Sequence, residues 1–174
     1  MTDEKELLRR IELLESQMEI TRLISTFSHA VDLRDRDLLR SVWFADSVLD
    51  LGSRGACNGV EEILANFDAQ WRAIPHMHHW FADPLVDVDL EAGTATDTVT
   101  VDVFLTDLES GPIQSAGLYT DRLERRDGRW AFVHRRLHIY YWTPIAGWVP
   151  TAGSEATSPP DPSAVPSTTT GVRG

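Results

Sequence analysis

The sequence predicts an α+β fold in which a curved mixed or antiparallel sheet wraps around N-terminal helices and encloses a pocket. Three observations carry that expectation. Apolar residues recur at helical spacing through most of the chain up to Ala73. After Pro75 the apolar period falls to two. Helices first and antiparallel strands after is the α+β order, and long strands that curl around a helical lid leave a cavity.

Residues 3–32 read as one long helix, with Leu7, Ile11, Leu14 and Met18 continued by Ile20, Leu23, Ile24, Phe27 and Val31. Thr2 or Asp3 caps its start. Asp32 falls at its end, where a carboxylate opposes the helix dipole and asks for a reason. A second helix is expected over Asp37–Phe44 and a short strand over Ser47–Leu51. Gly52, Gly55 and Gly59 mark loops. Val60–Ala73 form a third helix with Ile63, Leu64, Phe67 and Trp71 on one side.

Strands follow over 77–89, 94–108, 113–126 and 129–142. The second alternates cleanly, Val99, Val101, Val103 and Leu105 against Thr98, Thr100 and Asp102. Asp127-Gly128 is a hairpin signal. From about Pro150 the text turns Pro/Ser/Thr-rich and lacks large apolar residues, so 1–150 is read as the domain and 151–174 as a disordered tail.

The 174 residues suffice for one domain with a real core, and 42% are hydrophobic, an ordinary globular share. A net charge of −11 opposes nucleic-acid binding, which needs a basic face. No apolar run is long enough to span a membrane, and the charged start lacks a secretory apolar core, which points to the cytoplasm. The single Cys57 cannot form an internal disulfide and is read as packing.

Six histidines are present, three of them in His76-Met77-His78-His79. On a strand His76 and His78 face one way and His79 the other. His134, His138 and Asp32 could add metal ligands, but no metal-binding motif appears, and neither metal nor cofactor is expected. The alternative is a histidine general base, which needs one ring nitrogen on the substrate and the other held by a carboxylate. Pattern alone does not choose among the six.

The stretch GLYTDRLERRDGRWAF from Gly117, with IYYWTPIAG from Ile139, resembles the end of the hexachlorocyclohexane dehydrochlorinases. These belong to the SnoaL-like branch of the NTF2-like superfamily, with scytalone dehydratase, bile-acid 7α-dehydratase and polyketide cyclases in the same broad group. The resemblance covers roughly residues 5–150. It implies an NTF2-like cone, a homo-oligomer (a trimer ahead of a dimer) and cofactor-free chemistry on a small hydrophobic molecule.

The resemblance also implies a catalytic dyad. Its Asp maps onto Asp32 and its His onto His79, which accounts for the awkward carboxylate at the helix end. The pocket arginine maps onto Arg135. Phe27, His29, Trp43, Phe81, Tyr119, Tyr140 and Trp142 are the expected substrate-binding residues. Two departures matter. Phe27 stands where some dehydrochlorinases carry a Lys, and Val31 where scytalone dehydratase has a Tyr, which argues against both of those reactions. The reading is a lyase or isomerase of dehydratase, dehydrohalogenase or cyclase type, acting on an aromatic or polycyclic molecule. A ligand-binding module or an oxygenase-associated subunit is the alternative.

Overall fold

A computed structural model describes residues 2–145. Helix α1 (Thr2–Asp32) is followed by α2 (Arg36–Ser41), β1 (Trp43–Asp50), a 3-10 turn (Gly52–Arg54), β2 (Ala56–Asn58) and α3 (Val60–Ala73). Four long strands complete the described chain: β3 (His76–Asp89), β4 (Thr94–Asp107), β5 (Gly111–Arg126) and β6 (Arg129–Pro144). They form one six-stranded mixed sheet in the order β2-β1-β6-β5-β4-β3. Every neighbouring pair is antiparallel except β1 with β6.

The main elements fall where the periodicity puts them, with three corrections. Trp43 and Phe44 open β1 instead of closing α2, because Trp43 pairs with Phe132 and aromatic residues suit a pleated, half-buried strand. The three-residue strand β2 was not expected; it is too short for a periodic signal. The apolar stripe of α1 is only half used. Ile20, Ile24, Phe27 and Val31 are buried, while Leu7, Leu8, Ile11, Leu14 and Met18 stay exposed. The tail and Trp148 lie outside the described residues.

Inward side chains stack in cross-sheet rows fixed by strand register. One row runs His79, Val103, Ser115, Trp142; the next Phe81, Val101, Gly117, Ile139; the next Val99, Tyr119, Leu137. A fourth runs Asp97, Asp121, Arg135, Leu49. Successive rows lie two residues apart, roughly 7 Å along a strand.

A β-bulge at Tyr140 keeps both Ile139 and Trp142 on the inner side. The pairing jumps from Gly117 with Ile139 to Ala116 with Tyr141, so one residue is extra in β6 and the alternation resets. Gly117 permits this: a β-carbon there would lie 2.3 Å from the His138 carbonyl oxygen. Phe27 is the hub of the core, with Trp43, Phe67, Phe81, Tyr119 and Phe132 ring centroids 5.8–6.2 Å away. Edge-on and tilted packing of this kind adds about 0.5–1.5 kcal/mol per pair beyond burial.

Candidate active site

The end of α1 is held by a Schellman-type cap. Asp35 N–H donates to Ala30 O (2.9 Å) and Arg34 N–H to Val31 O (3.3 Å). Arg34 takes the left-handed position (φ 59°), where glycine is the usual residue. The strain there is offset by its guanidinium, which donates to the carbonyls of Ile74 (3.0 Å) and Pro75, just before β3. Trp71 Nε1 donates to Val31 O at 2.9 Å. Helix end and strand start are thereby fixed to each other, which sets the geometry of the next pair.

Asp32 grips His79 at two points. Its Oδ2 accepts the His79 backbone N–H (2.9 Å), and its Oδ1 lies 2.6 Å from His79 Nδ1. The side chains are 21% and 11% exposed, shielded enough for the bond to hold a defined ring orientation. With Nδ1–H on the carboxylate, Nε2 is the free nitrogen, and His79 lines the main cavity. A free imidazole nitrogen opposite a carboxylate-held one is the arrangement that a general base requires. His76 and His78 belong to the other face of β3, as alternation predicts.

The cavity holds about 210 Å³ between the sheet and α3. Its wall is mostly apolar: Leu49, Phe67, Met77, Val101, Val103, Leu137 and Ile139 among others. The polar side chains on it are Arg54, Asn66, Gln70, His79, Ser115 and Tyr119. Ser115 Oγ already donates to Tyr141 O at 2.9 Å. Burial raises the Tyr119 phenol above its ordinary value, so it stays protonated and can donate.

Of the expected substrate-binding residues, Tyr119 and Trp142 line the cavity. Phe27 and Trp43 do not; they are core residues beneath it. Phe81 packs between His79 and that core, its ring 6.0 Å from the imidazole. His29 faces solvent, because three residues along a helix turn it about 60° away from Asp32. Tyr140 is 64% exposed: it is the extra residue of the bulge and points out of the cone. Sequence reasoning missed Arg54, Asn66 and Gln70. The last two are four apart on α3, beside Phe67, a polar pair against an inward stripe.

Arg135 also needs correction as a cavity residue. It is fully buried and absent from the cavity wall. Its guanidinium sits among Phe27 (4.2 Å), Tyr119 (4.1 Å), Phe132 (4.5 Å) and Phe81 (5.3 Å), a cation enclosed by ring faces. Asp121 Oδ1 is 3.5 Å from Arg135 Nε, and Asp97 faces Asp121 across β4 and β5. Burial pushes Asp97 up to about 6 and Asp121 up to about 7, against the pull of Arg135. The two carboxyls titrate as a pair. Holding one proton between them leaves a neutral trio, one cation against one anion, as a charged floor under the aromatic layer.

Among the described residues no group of three His, Cys, Asp or Glu side chains is gathered as metal ligands. No described helix is long and apolar enough to cross a membrane.

The chain belongs to the SnoaL-like domain family, whose model matches it over residues 12–136. The fold is NTF2-like. Among relatives, the gamma-hexachlorocyclohexane dehydrochlorinase of Sphingobium indicum is 29% identical over 141 residues, 79% of this chain and 88% of that one. Among solved structures, a type 2 hexachlorocyclohexane dehydrochlorinase (LinA) superposes with a TM-score of 0.77 at 26% identity, covering 82% of this chain and 99% of the other. A putative scytalone dehydratase from Novosphingobium aromaticivorans shares the fold, with a TM-score of 0.69 at 18% identity over 76% of this chain and 89% of that one.

Proposed function

We propose that the protein is a cofactor-independent lyase of dehydratase or dehydrohalogenase type. His79 Nε2 takes a proton from a substrate carbon, the electron pair of that C–H bond becomes the new double bond, and the leaving group departs with its own bonding pair. Asp32 holds the ring tautomer and offsets the positive charge that His79 gains. Tyr119 donates a hydrogen bond to the departing or developing anion. One observation carries the reading: the 2.6 Å Asp32–His79 contact at the wall of an apolar cavity. The similarity to dehydrochlorinases supports the reaction class.

A cavity of about 210 Å³ lies below the usual drug-sized range of about 300–1,000 Å³, which favours a one- or two-ring substrate over a larger polycycle. The family resemblance supports a homotrimer. So do the exposed Trp80, Phe104 and Tyr141, which register places together on the outer sheet face.

The test is a panel of small ring compounds carrying a leaving group β to an acidic C–H, with hexachlorocyclohexane included, followed by mass spectrometry. The expected result is an elimination product with the native chain and none with His79→Gln. Turnover by His79→Gln at the native rate would overturn the dyad.

A further inference from the structure

We propose, resting on the lyase reading for the reacting end, that Arg54 is the anion-recognition residue of the cavity and that the substrate is an apolar carboxylic acid. Its carboxylate sits at Arg54 and its reacting carbon at His79.

Arg54 is the one lysine or arginine among the lining residues, and no aspartate or glutamate joins it there. The chain has 27 acidic side chains against 16 basic ones. Arg36, Arg40, Arg125, Arg126, Arg135 and Arg136 each pair with a carboxylate. Among the described residues none stands within ion-pair distance of Arg54. Its guanidinium instead lies over the Trp142 ring, 5.8 Å from the centroid, which orients the planar fork and leaves its N–H edge for a ligand.

The loop that carries Arg54 is tied down. Leu51 N–H donates to Gly55 O (2.8 Å), Gly55 N–H to Gly52 O (3.1 Å) and Gly52 N–H to Asp50 Oδ1 (2.8 Å). Gly52 and Gly55 have φ of 64° and 96°, values that a side-chain-bearing residue resists. Asn66 lines the same cavity. Asn66 Nδ2 is buried on the cavity wall and has no partner among the described residues. A buried donor without an acceptor is costly, so a ligand that brings oxygens satisfies it.

Position then narrows the ligand. His79 and Trp142 close the two ends of one cross-sheet row. Three strand spacings separate them, about 14 Å along the sheet and less across the curl. An acid whose carboxylate meets Arg54 thus keeps an apolar body between that group and the base. One guanidinium matches one carboxylate in a bidentate pair. A phosphate ester asks for more positive charge than this wall offers, in a chain of net charge −11.

The experiment is calorimetric titration of the full chain with 2-naphthoate and with its neutral isostere 2-naphthamide. The native chain is expected to prefer the carboxylate at least tenfold, less at high salt. Arg54→Gln is expected to abolish the preference while leaving the amide affinity unchanged, and His79→Gln to keep it. Equal binding of the two probes, no binding of the carboxylate, or a preference that survives Arg54→Gln would overturn the assignment. So would a preference lost in His79→Gln, which would move the anion to the imidazole. A carboxylate preference that behaves as expected, in a protein whose turnover is indifferent to His79→Gln, would sink the lyase reading and spare Arg54.

Discussion

Asp32 bonds both the ring and the backbone of His79, so its two oxygens accept from two fixed donors. An amide cannot do that. Asp32→Asn presents one NH2 group to one of those donors, and relief comes if the imidazole shifts its proton to Nε2, where it can no longer act as a base. The expected loss is on the order of 10⁴-fold in kcat, as for a comparable carboxylate-to-amide change in a catalytic triad. Thermal unfolding should move little. Steady-state kinetics on any substrate found in the panel checks this, and near-native kcat would refute the tautomer role.

Gly117→Ala should distort the cavity before it destabilises the fold outright. The new methyl meets backbone, the His138 carbonyl, and no flexible side chain. Overpacking of this kind costs about 1–3 kcal/mol. β6 has to move, and Ile139 and Trp142 move with it. A lower urea midpoint together with altered Trp fluorescence is the expected pair of readouts. An unchanged midpoint would show that the strand yields freely.

The buried acid pair makes stability fall as pH rises. Both carboxyls have folded values above the ordinary 3.8. The native state therefore binds protons more tightly than the unfolded chain, and the stabilisation present below about pH 4 is lost as pH climbs towards 7. Asp121→Asn should flatten that slope, because Asp97 can then ionise alone against Arg135. Asp97→Asn with Asp121→Asn leaves no carboxyl of the pair to titrate and should remove the slope. Chemical denaturation between pH 4 and 8 measures both, and a slope unchanged in Asp121→Asn would contradict the shared proton.

Trp80→Glu should dissociate the proposed trimer. Trp80 is 68% exposed on the outer face of β3, where a lone subunit gains nothing from it. Light scattering is expected to give three times 19.5 kDa for the native chain and one for the variant. A native monomer would remove the trimer from the reading.

The helices and long strands were legible because each has a clear period, and the boundaries of α3 follow from sequence alone. The dyad was half legible. Asp32 looked misplaced at a helix end, but only the family resemblance singled out His79 among six histidines. The rest depended on parity and depth, which linear text does not carry. Tyr140 and Trp142 differ because of one extra residue between strands. Arg135 and Phe27 sit one layer too deep, a consequence of where α1 crosses the sheet. Arg54 gave no periodic signal, since a three-residue turn has none.

The stacked rows make the cavity a ruler. The carboxylate-held imidazole is fixed at the His79 mark and the bottom is fixed by the aromatic layer over Arg135. Reach between them is counted in whole steps, so substrate length changes by trading one side chain at one mark. Leu137, beside Tyr119 in its row, is the natural stop: replacing it with a smaller residue would open the next interval while leaving the Asp32–His79 contacts and the Tyr119 hydroxyl in place, and a lineage could shift from shorter to longer molecules by single exchanges.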